Sequence, residues 1–168
     1  ANIVTKDQGR EIITGNERVL RARLSDACFF WDKDREKTLA SRIPVLSEIT
    51  FHDKLGSLTE KVERMQHLAV VLAPHFGAAK VSDIQNAIRL CKTDLVTQMV
   101  GEFPELQGKM GGYYALNDGE SDQVAEAIAN HYRPQGRGDT CPSAPVSITV
   151  GLADRLDTLA GFWAIDDK

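Results

Sequence analysis

Apolar residues along this chain recur mostly at helical spacing, and runs that alternate apolar and polar positions as strands do are scarce. Residues three or four positions apart lie on one face of a helix, so such a period is typical of amphipathic helices. The predicted helices cover residues 11–31, 60–73, 82–100, 122–132 and 146–165. This pattern predicts an all-α fold.

Proline and glycine mark the expected breaks between these helices. Pro44 lies inside an otherwise helical segment and should end or kink it. Gly56 interrupts the next pattern, and Ser57 or Thr59 can cap the helix that follows. The passage from Gly101 to Glu120 holds five glycines, so we expect it to be irregular with a helical turn or two. We divide the chain into an N-terminal helical segment, 1–55, and a helical domain, 56–168.

The stretch RLCKTDLVTQMV places charge inside a helix that otherwise has a core-facing pattern. Its apolar residues share one face, yet Lys92 and Asp94 occupy the same turns. Either these side chains are paired inside the protein, with Asp94 bracing the glycine-rich passage that follows, or they face solvent. The pattern alone leaves both interpretations open.

Composition narrows the classes of function. The chain has 168 residues, of which 42% are hydrophobic and 26% charged, as in ordinary globular proteins. Its three cysteines are widely spaced without a C-x-x-C pair, which argues against a disulfide framework or a zinc knuckle. A formal net charge of -4 means that any contact with nucleic acid must be local. No apolar run approaches the ~20 residues of a membrane span, and no export signal is visible, so we expect a cytoplasmic protein without a membrane partner.

Five blocks of sequence carry a family resemblance, and they follow one another over almost the whole chain: GNERVLRARLSDACFFWDKD, FHDKLGSLTEKVERM, KTDLVTQMVGEFPELQGKMGGYYALNDGE, VAEAIANHYRP and LADRLDTLAGFWAI. Together they closely resemble the beta subunit of the bacterial heterotetrameric glycyl-tRNA synthetase, a class II aminoacyl-tRNA synthetase. The resemblance implies a middle portion of that subunit, with a domain similar to the all-helical HD phosphohydrolase superfamily.

The same resemblance implies how the steps of tRNA glycylation are divided between the subunits. Glycine activation with ATP and Mg²⁺ is expected in the separate alpha subunit, and no cofactor is expected in this portion. The implied partners are tRNA-Gly, the alpha subunit and the other domains of the beta subunit. The anticodon-binding region would lie beyond Lys168.

An active HD phosphohydrolase holds a divalent ion with a His on one helix, an adjacent His and Asp on the next, and a further Asp on a later helix. At the corresponding positions this chain has Arg64, then Cys91 and Lys92, and finally Asp154, so only the last keeps a ligand. Arg cannot deprotonate to bind a metal, and Lys would need a large fall in its pKa. We therefore expect no metal and no catalytic residue here. His67 could be proposed as a substitute metal ligand because it lies three residues after Arg64. A lone His on an apolar helix is, however, more often a packed core residue.

Charge compensation gives a hypothesis for this degenerate pocket. A buried carboxylate at Asp154 is costly unless it is paired. Arg64 or Lys92 would supply the positive charge that a metal once supplied. The hypothesis requires that at least one of these cations lies beside Asp154.

Two arginine clusters are candidates for contact with tRNA. Arg18 and Arg21 lie along one side of the first predicted helix, with Arg23 offset, and arginine suits phosphate through its planar fork. Arg133 and Arg137 lie in a loop rich in Pro and Gly. The competing interpretations are an ion-pair network for the first cluster and a solvated loop for the second.

The sequence leaves three classes of function open. The leading one is a helical, HD-like module of glycyl-tRNA synthetase that positions tRNA or holds the subunit together without chemistry of its own. The alternatives are a metal-dependent HD-type phosphohydrolase and a purely architectural module between domains.

Overall fold

The first unit of the structure is a single long helix. The computed structural model describes residues 7–77 and 79–166, which divide into two compact units at Glu36 and Lys37. Helix α1 (Arg10–Asp34) has 25 residues, about 37 Å at 1.5 Å per residue. The carboxylate of Asp7 accepts the backbone N–H of Glu11 at 2.8 Å and so satisfies a free donor of the first turn. The helix runs through Gly15 without interruption.

The second unit begins with short elements. Helix α2 (Leu39–Arg42) leads into a 3₁₀ turn (Ile43–Glu48) with Pro44 in its first turn, which confirms the predicted break. A two-stranded antiparallel hairpin, β1 (Thr50–His52) and β2 (Gly56–Ser57), follows and was not predicted. The division of the chain at residue 55 stays a prediction, but in this structure residues 37–55 pack with the second unit.

Helix α3 (Leu58–Leu72) starts where the capping signal predicted. Ser57 accepts the N–H of Glu60 at 3.4 Å, and the Glu60 carboxylate accepts the N–H of Ser57 at 2.7 Å, which together form a capping box. The helix ends one residue before the predicted end at residue 73, and a 3₁₀ turn (Ala73–His75) that contains Pro74 follows.

The predicted helix to Val100 is in fact three elements. Helix α4 (Val81–Leu90) stops at Leu90, a 3₁₀ turn covers Thr93–Val96, and α5 (Gln98–Glu102) begins after Thr97. The Lys92 backbone, at φ -108° and ψ -3°, departs from helical geometry. The side chains of Lys92 and Asp94, which follow the end of α4, are 3% and 0% exposed, so the solvent-facing interpretation was wrong.

Three further helices complete the core. After a 3₁₀ turn (Pro104–Leu106) come α6 (Lys109–Asn117), α7 (Asp122–Asn130) and α8 (Pro145–Ala164). Helix α8 contacts α3, α4 and α7 and is the central helix of this unit. Met65, Ile88, Ile128 and Val150 come from these four helices and are fully buried.

The all-α class is confirmed, since the only strands among the described residues are those of the small hairpin. The assignment to the HD superfamily stays a prediction. Within residues 7–77 and 79–166, no helix combines the length and the apolar character that crossing a membrane requires.

Candidate functional site

Two aspartates one turn apart on α8 form the acidic half of a buried ionic cluster. Asp154 and Asp157 are spaced i, i+3 and therefore lie on the same face of the helix. They are 8% and 5% exposed. A buried carboxylate must be paired to be tolerated, and the surrounding helices supply the cations.

Lys92 supplies the first of these cations. Its Nζ lies 3.0 Å from Oδ2 of Asp154 and donates a hydrogen bond to it. The predicted pairing of a cation with Asp154 is therefore present in the structure.

His131 and Tyr132 complete the surroundings of Lys92. Nδ1 of His131 lies 2.7 Å from the carbonyl of Ile128, which only accepts, so Nδ1 carries the proton. Nε2 is then an acceptor and lies 3.0 Å from the Lys92 ammonium. Burial and the neighbouring Lys92 charge lower the pKa of His131 to about 3, so the imidazole is neutral. The ammonium also stands 4.1 Å from the centre of the Tyr132 ring, a cation–π contact.

Lys61 supplies a second cation, which the sequence analysis missed. Its Nζ donates to Asp157 Oδ2 at 3.0 Å and to Thr158 Oγ1 at 2.8 Å. It also lies at ion-pair distance, 3.1 Å, from Asp154 Oδ1, although that oxygen accepts no hydrogen bond with good geometry among the described residues. Lys61 thus bridges the two aspartates and is itself 2% exposed.

Arg64 pairs with Asp157 rather than with Asp154. Its Nε donates to Asp157 Oδ1 at 2.6 Å, and its Nη1 donates to the carbonyl of Leu55 at 3.0 Å. The side chain is 38% exposed, so Arg64 closes the cluster at the surface. Lys92, which the hypothesis offered as the other choice, is the one that pairs with Asp154.

The electrostatics of Asp154 show the effect of this arrangement. Burial acts to raise the pKa of its carboxyl, but the charges of Lys92 and Lys61 outweigh burial and hold the pKa below its usual value. Asp154 is therefore ionised at neutral pH, with one ammonium beside each oxygen.

These residues do not fit a divalent metal. A cation that bound Asp154 would have to displace two ammonium groups that lie within 3.1 Å of its oxygens, and ammonium has no lone pair to donate. Cys91 donates its thiol to the carbonyl of Ile88 at 3.3 Å, and burial raises its pKa to about 12, so it is not a thiolate. Among the described residues no three His, Cys, Asp or Glu side chains are grouped to hold a metal.

Asp94 braces the glycine-rich passage, as one of the two open interpretations expected. Its Oδ2 accepts the backbone N–H groups of Gly108 at 2.6 Å and Gly111 at 3.1 Å, and so fixes the start of α6. Burial nevertheless raises its pKa to about 6 against the pull of these donors. The role of Asp94 is local: it ties the turn after α4 to α6.

The candidate residues for tRNA contact are not members of this cluster. Arg18, Arg21 and Arg23 are all exposed on α1, but Arg23 is two residues from Arg21 and projects from another side of the helix. Arg133 donates to the carboxylate of Asp139, which raises the pKa of Arg133 and lowers that of Asp139 to about 2. Arg137 is exposed in the same loop. Their role in binding tRNA stays a prediction.

His67 lies on the surface of α3. The preference for a packed core histidine was therefore wrong. Its position is explained by the helical period: the buried residues of α3 include Met65 and Ala69, on the opposite side from His67.

Comparison with known proteins identifies the family. The family described as "Glycyl-tRNA synthetase beta subunit" matches residues 1–168, the whole chain. The protein "Glycine--tRNA ligase beta subunit" of Neisseria meningitidis serogroup C (strain 053442) is 52% identical over 165 residues, which are 98% of this chain and 24% of that protein. The protein of the same name from Rhodospirillum centenum (strain ATCC 51521 / SW) is 51% identical over 170 residues, 100% of this chain and 24% of that protein.

The chain therefore belongs to the glycyl-tRNA synthetase beta subunit family, which confirms the resemblance drawn from its motifs. It spans about a quarter of the length of the curated relatives it matches. None of these comparisons supports the HD-type phosphohydrolase as an alternative.

Proposed function

We propose that this chain is a non-catalytic helical module of a glycine–tRNA ligase beta subunit. Its role is to help position tRNA-Gly, and to support the subunit, while glycine is joined to tRNA at the expense of ATP. The relatives named above are glycine–tRNA ligase beta subunits. ATP and Mg²⁺ act in the alpha subunit, which is the expected partner together with the other beta-subunit domains.

The observation that carries the non-catalytic part is the pairing of Asp154. Lys61 reaches this carboxylate from α3 and Lys92 from the turn after α4, and together they neutralise it. A phosphohydrolase needs a metal-bound water at such a place, whereas an ammonium group offers neither Lewis acidity nor a site for that water. The cluster instead links α3 and the turn after α4 to α8, which is a structural task.

This proposal is tested by enzymology on two levels. The 168-residue chain is incubated with phosphomonoester and phosphodiester substrates and with Mg²⁺ or Mn²⁺. We expect no turnover above that of an Asp154→Asn variant. Turnover that the wild type shows and Asp154→Asn lacks would contradict the proposal.

The second level uses the complete synthetase. Mutation of the cluster, as in Lys92→Met, should lower the rate of tRNA charging. ATP–pyrophosphate exchange with glycine, measured without tRNA, should be retained because activation belongs to the alpha subunit. Equal loss of both reactions would contradict the assignment of this module to tRNA positioning.

A further inference from the structure

Two open grooves meet at His67 on the outer side of α3. The first has a volume of about 470 Å³ and lies between the hairpin, α3 and α8; its polar side chains come from Lys54, Arg64, His67 and Asp157. The second has a volume of about 440 Å³ and lies between α3 and α4. It is lined by Val70 and by five polar side chains: Gln66, His67, Gln85, Asn86 and Arg89. His67 lines both grooves, so they form one continuous surface, which we call the α3–α4 face.

The α3–α4 face is positive although the chain as a whole is negative. Its single lining carboxylate, Asp157, is 5% exposed and is already paired with Lys61 and Arg64. Lys54 and Arg89 are exposed. In the part of the chain that the structure describes, neither of these two side chains has an acidic partner.

The other acids near this face do not cancel its charge. Glu60 belongs to the capping box of α3 and is held by Ser57. Glu63 lies one helical turn before His67 and is exposed, and Asp53 is exposed next to Lys54. Glu120 accepts a hydrogen bond from the amide of Asn86 at 3.5 Å. Each of these carboxylates lies outside the lining of the two grooves.

We propose that the α3–α4 face contacts the phosphodiester backbone of RNA. This inference rests on the proposed function and names the surface that would carry it. Guanidinium and ammonium groups bind phosphate, whereas amide and imidazole groups hydrogen-bond to phosphate and to ribose hydroxyls. The second groove offers just this mixture, two glutamines, an asparagine and a histidine beside Arg89. Because both grooves are open and poor in aromatic side chains, they suit a backbone rather than a stacked base.

The α3–α4 face differs from both arginine clusters proposed from the sequence. Arg133 is neutralised by Asp139, and on α1 only Arg18 and Arg21 share a side, whereas Arg23 projects from another side of the helix. On the α3–α4 face, by contrast, the unpaired cations Lys54 and Arg89 belong to grooves that meet at His67. RNA bound here would pass along the outer side of α3.

The test compares two double variants of the complete synthetase. Lys54→Gln/Arg89→Gln removes two positive charges from the α3–α4 face, and the matched control Arg18→Gln/Arg21→Gln removes two from α1. Binding of fluorescently labelled tRNA-Gly is followed by anisotropy over a range of salt concentrations. Thermal unfolding and ATP–pyrophosphate exchange show that each variant is folded and still activates glycine.

We expect Lys54→Gln/Arg89→Gln to weaken tRNA binding roughly tenfold at low salt. The slope of log K against log salt should become shallower by about 1.4–1.8, since each lost phosphate contact removes about 0.7–0.9 from it. Glu63→Gln, which removes a nearby negative charge, should tighten binding.

An unchanged affinity and slope in Lys54→Gln/Arg89→Gln would overturn the inference. If the α1 variant alone weakened binding, the module would still contact tRNA and only the α3–α4 face would be refuted. Failure of the proposed function is visible separately, as phosphohydrolase turnover that depends on Asp154.

Discussion

Replacement of Lys92 by Met tests whether the buried cluster holds the second unit together. Met is unbranched and fills much of the same space, so the change removes the charge with little loss of packing. Lys92 is 3% exposed and serves three groups: Asp154 at 3.0 Å, His131 at 3.0 Å and the Tyr132 ring at 4.1 Å. All three lose the contact with Lys92 in the variant.

The expected cost can be worked out from these contacts. Leaving one partner of a buried ion pair uncompensated costs about 3–5 kcal/mol. Lys61 still stands 3.1 Å from the other oxygen of Asp154, so this contribution should lie near the lower end. Nε2 of His131 also loses its donor, and a buried acceptor without a partner costs about 1–3 kcal/mol. We therefore expect Lys92→Met to lower the free energy of unfolding by about 4–6 kcal/mol.

Arg64→Met is the matched control within the same cluster. Arg64 is 38% exposed, and Asp157 keeps Lys61 at 3.0 Å when Arg64 is removed. Its loss should cost about 1 kcal/mol or less, as for exposed ion pairs. Both variants are measured by urea denaturation of the 168-residue chain at pH 7.

The double variant Lys92→Met/Asp154→Asn adds a coupling measurement. Once Asp154 is neutral, loss of Lys92 should cost clearly less than it does in the wild type, because no uncompensated charge remains. A cost of Lys92→Met below about 1 kcal/mol, or one equal to that of Arg64→Met, would refute the reasoning.

Three other predictions concern the surroundings of the cluster. A Cβ on Gly112 would lie 2.8 Å from Cβ of Ala129, so Gly112→Ala should destabilise the chain by about 1–3 kcal/mol in urea denaturation. The control is Gly101→Ala, which has open space around it and should be neutral or stabilising. Equal effects of the two substitutions would argue against a close α6–α7 crossing. Asp94→Ala leaves two buried amides without an acceptor and should cost about 2–3 kcal/mol, and a loss of less than half of that would show that the brace is dispensable. The pKa of His131 is lowered from 6.5 to about 3, so acidification between these two values protonates the unfolded chain before the folded one and destabilises the fold. Over the same pH range His131→Asn should lose less stability than the wild type, as measured by urea denaturation at each pH. Parallel pH profiles of the two proteins would contradict the burial of a neutral imidazole.

Helix positions could be read from the sequence where local signals agree with packing. Ser57 and Glu60 form the capping box at the start of α3, and Ser121 accepts the N–H of Val124 at the start of α7. Pro44 marked the break before the hairpin. These signals act within a few residues, so no tertiary information is needed to find them.

The break at Lys92 could not be read in this way. The residues from Arg89 to Val100 keep a helical apolar pattern, which continues across the turn because both parts bury apolar side chains. The contacts at this break are tertiary: Lys92 donates to Asp154, and Asp94 accepts from the amides before and within α6. The hairpin strands, of three and two residues, are too short for an alternation of apolar and polar positions to be recognised in the sequence.

The candidate site was found in part for a similar reason. The family motif led to Asp154 and Lys92, and pairing followed from the cost of a buried charge. Lys61 and Asp157 were missed because each also fits an exposed helical position. One signal was available: Asp157 follows Asp154 by three residues on a mostly apolar helix, and such a spacing places two carboxylates on one face.

The most direct test of the central claim, that ammonium groups rather than a metal ion neutralise Asp154, is a measurement of divalent cation binding. The 168-residue chain and its Asp154→Asn variant are dialysed against millimolar Mn²⁺, and the bound metal is counted per chain. The account predicts no stoichiometric metal in the wild type and no difference between the two proteins. One Mn²⁺ per wild-type chain that is lost in Asp154→Asn would contradict it.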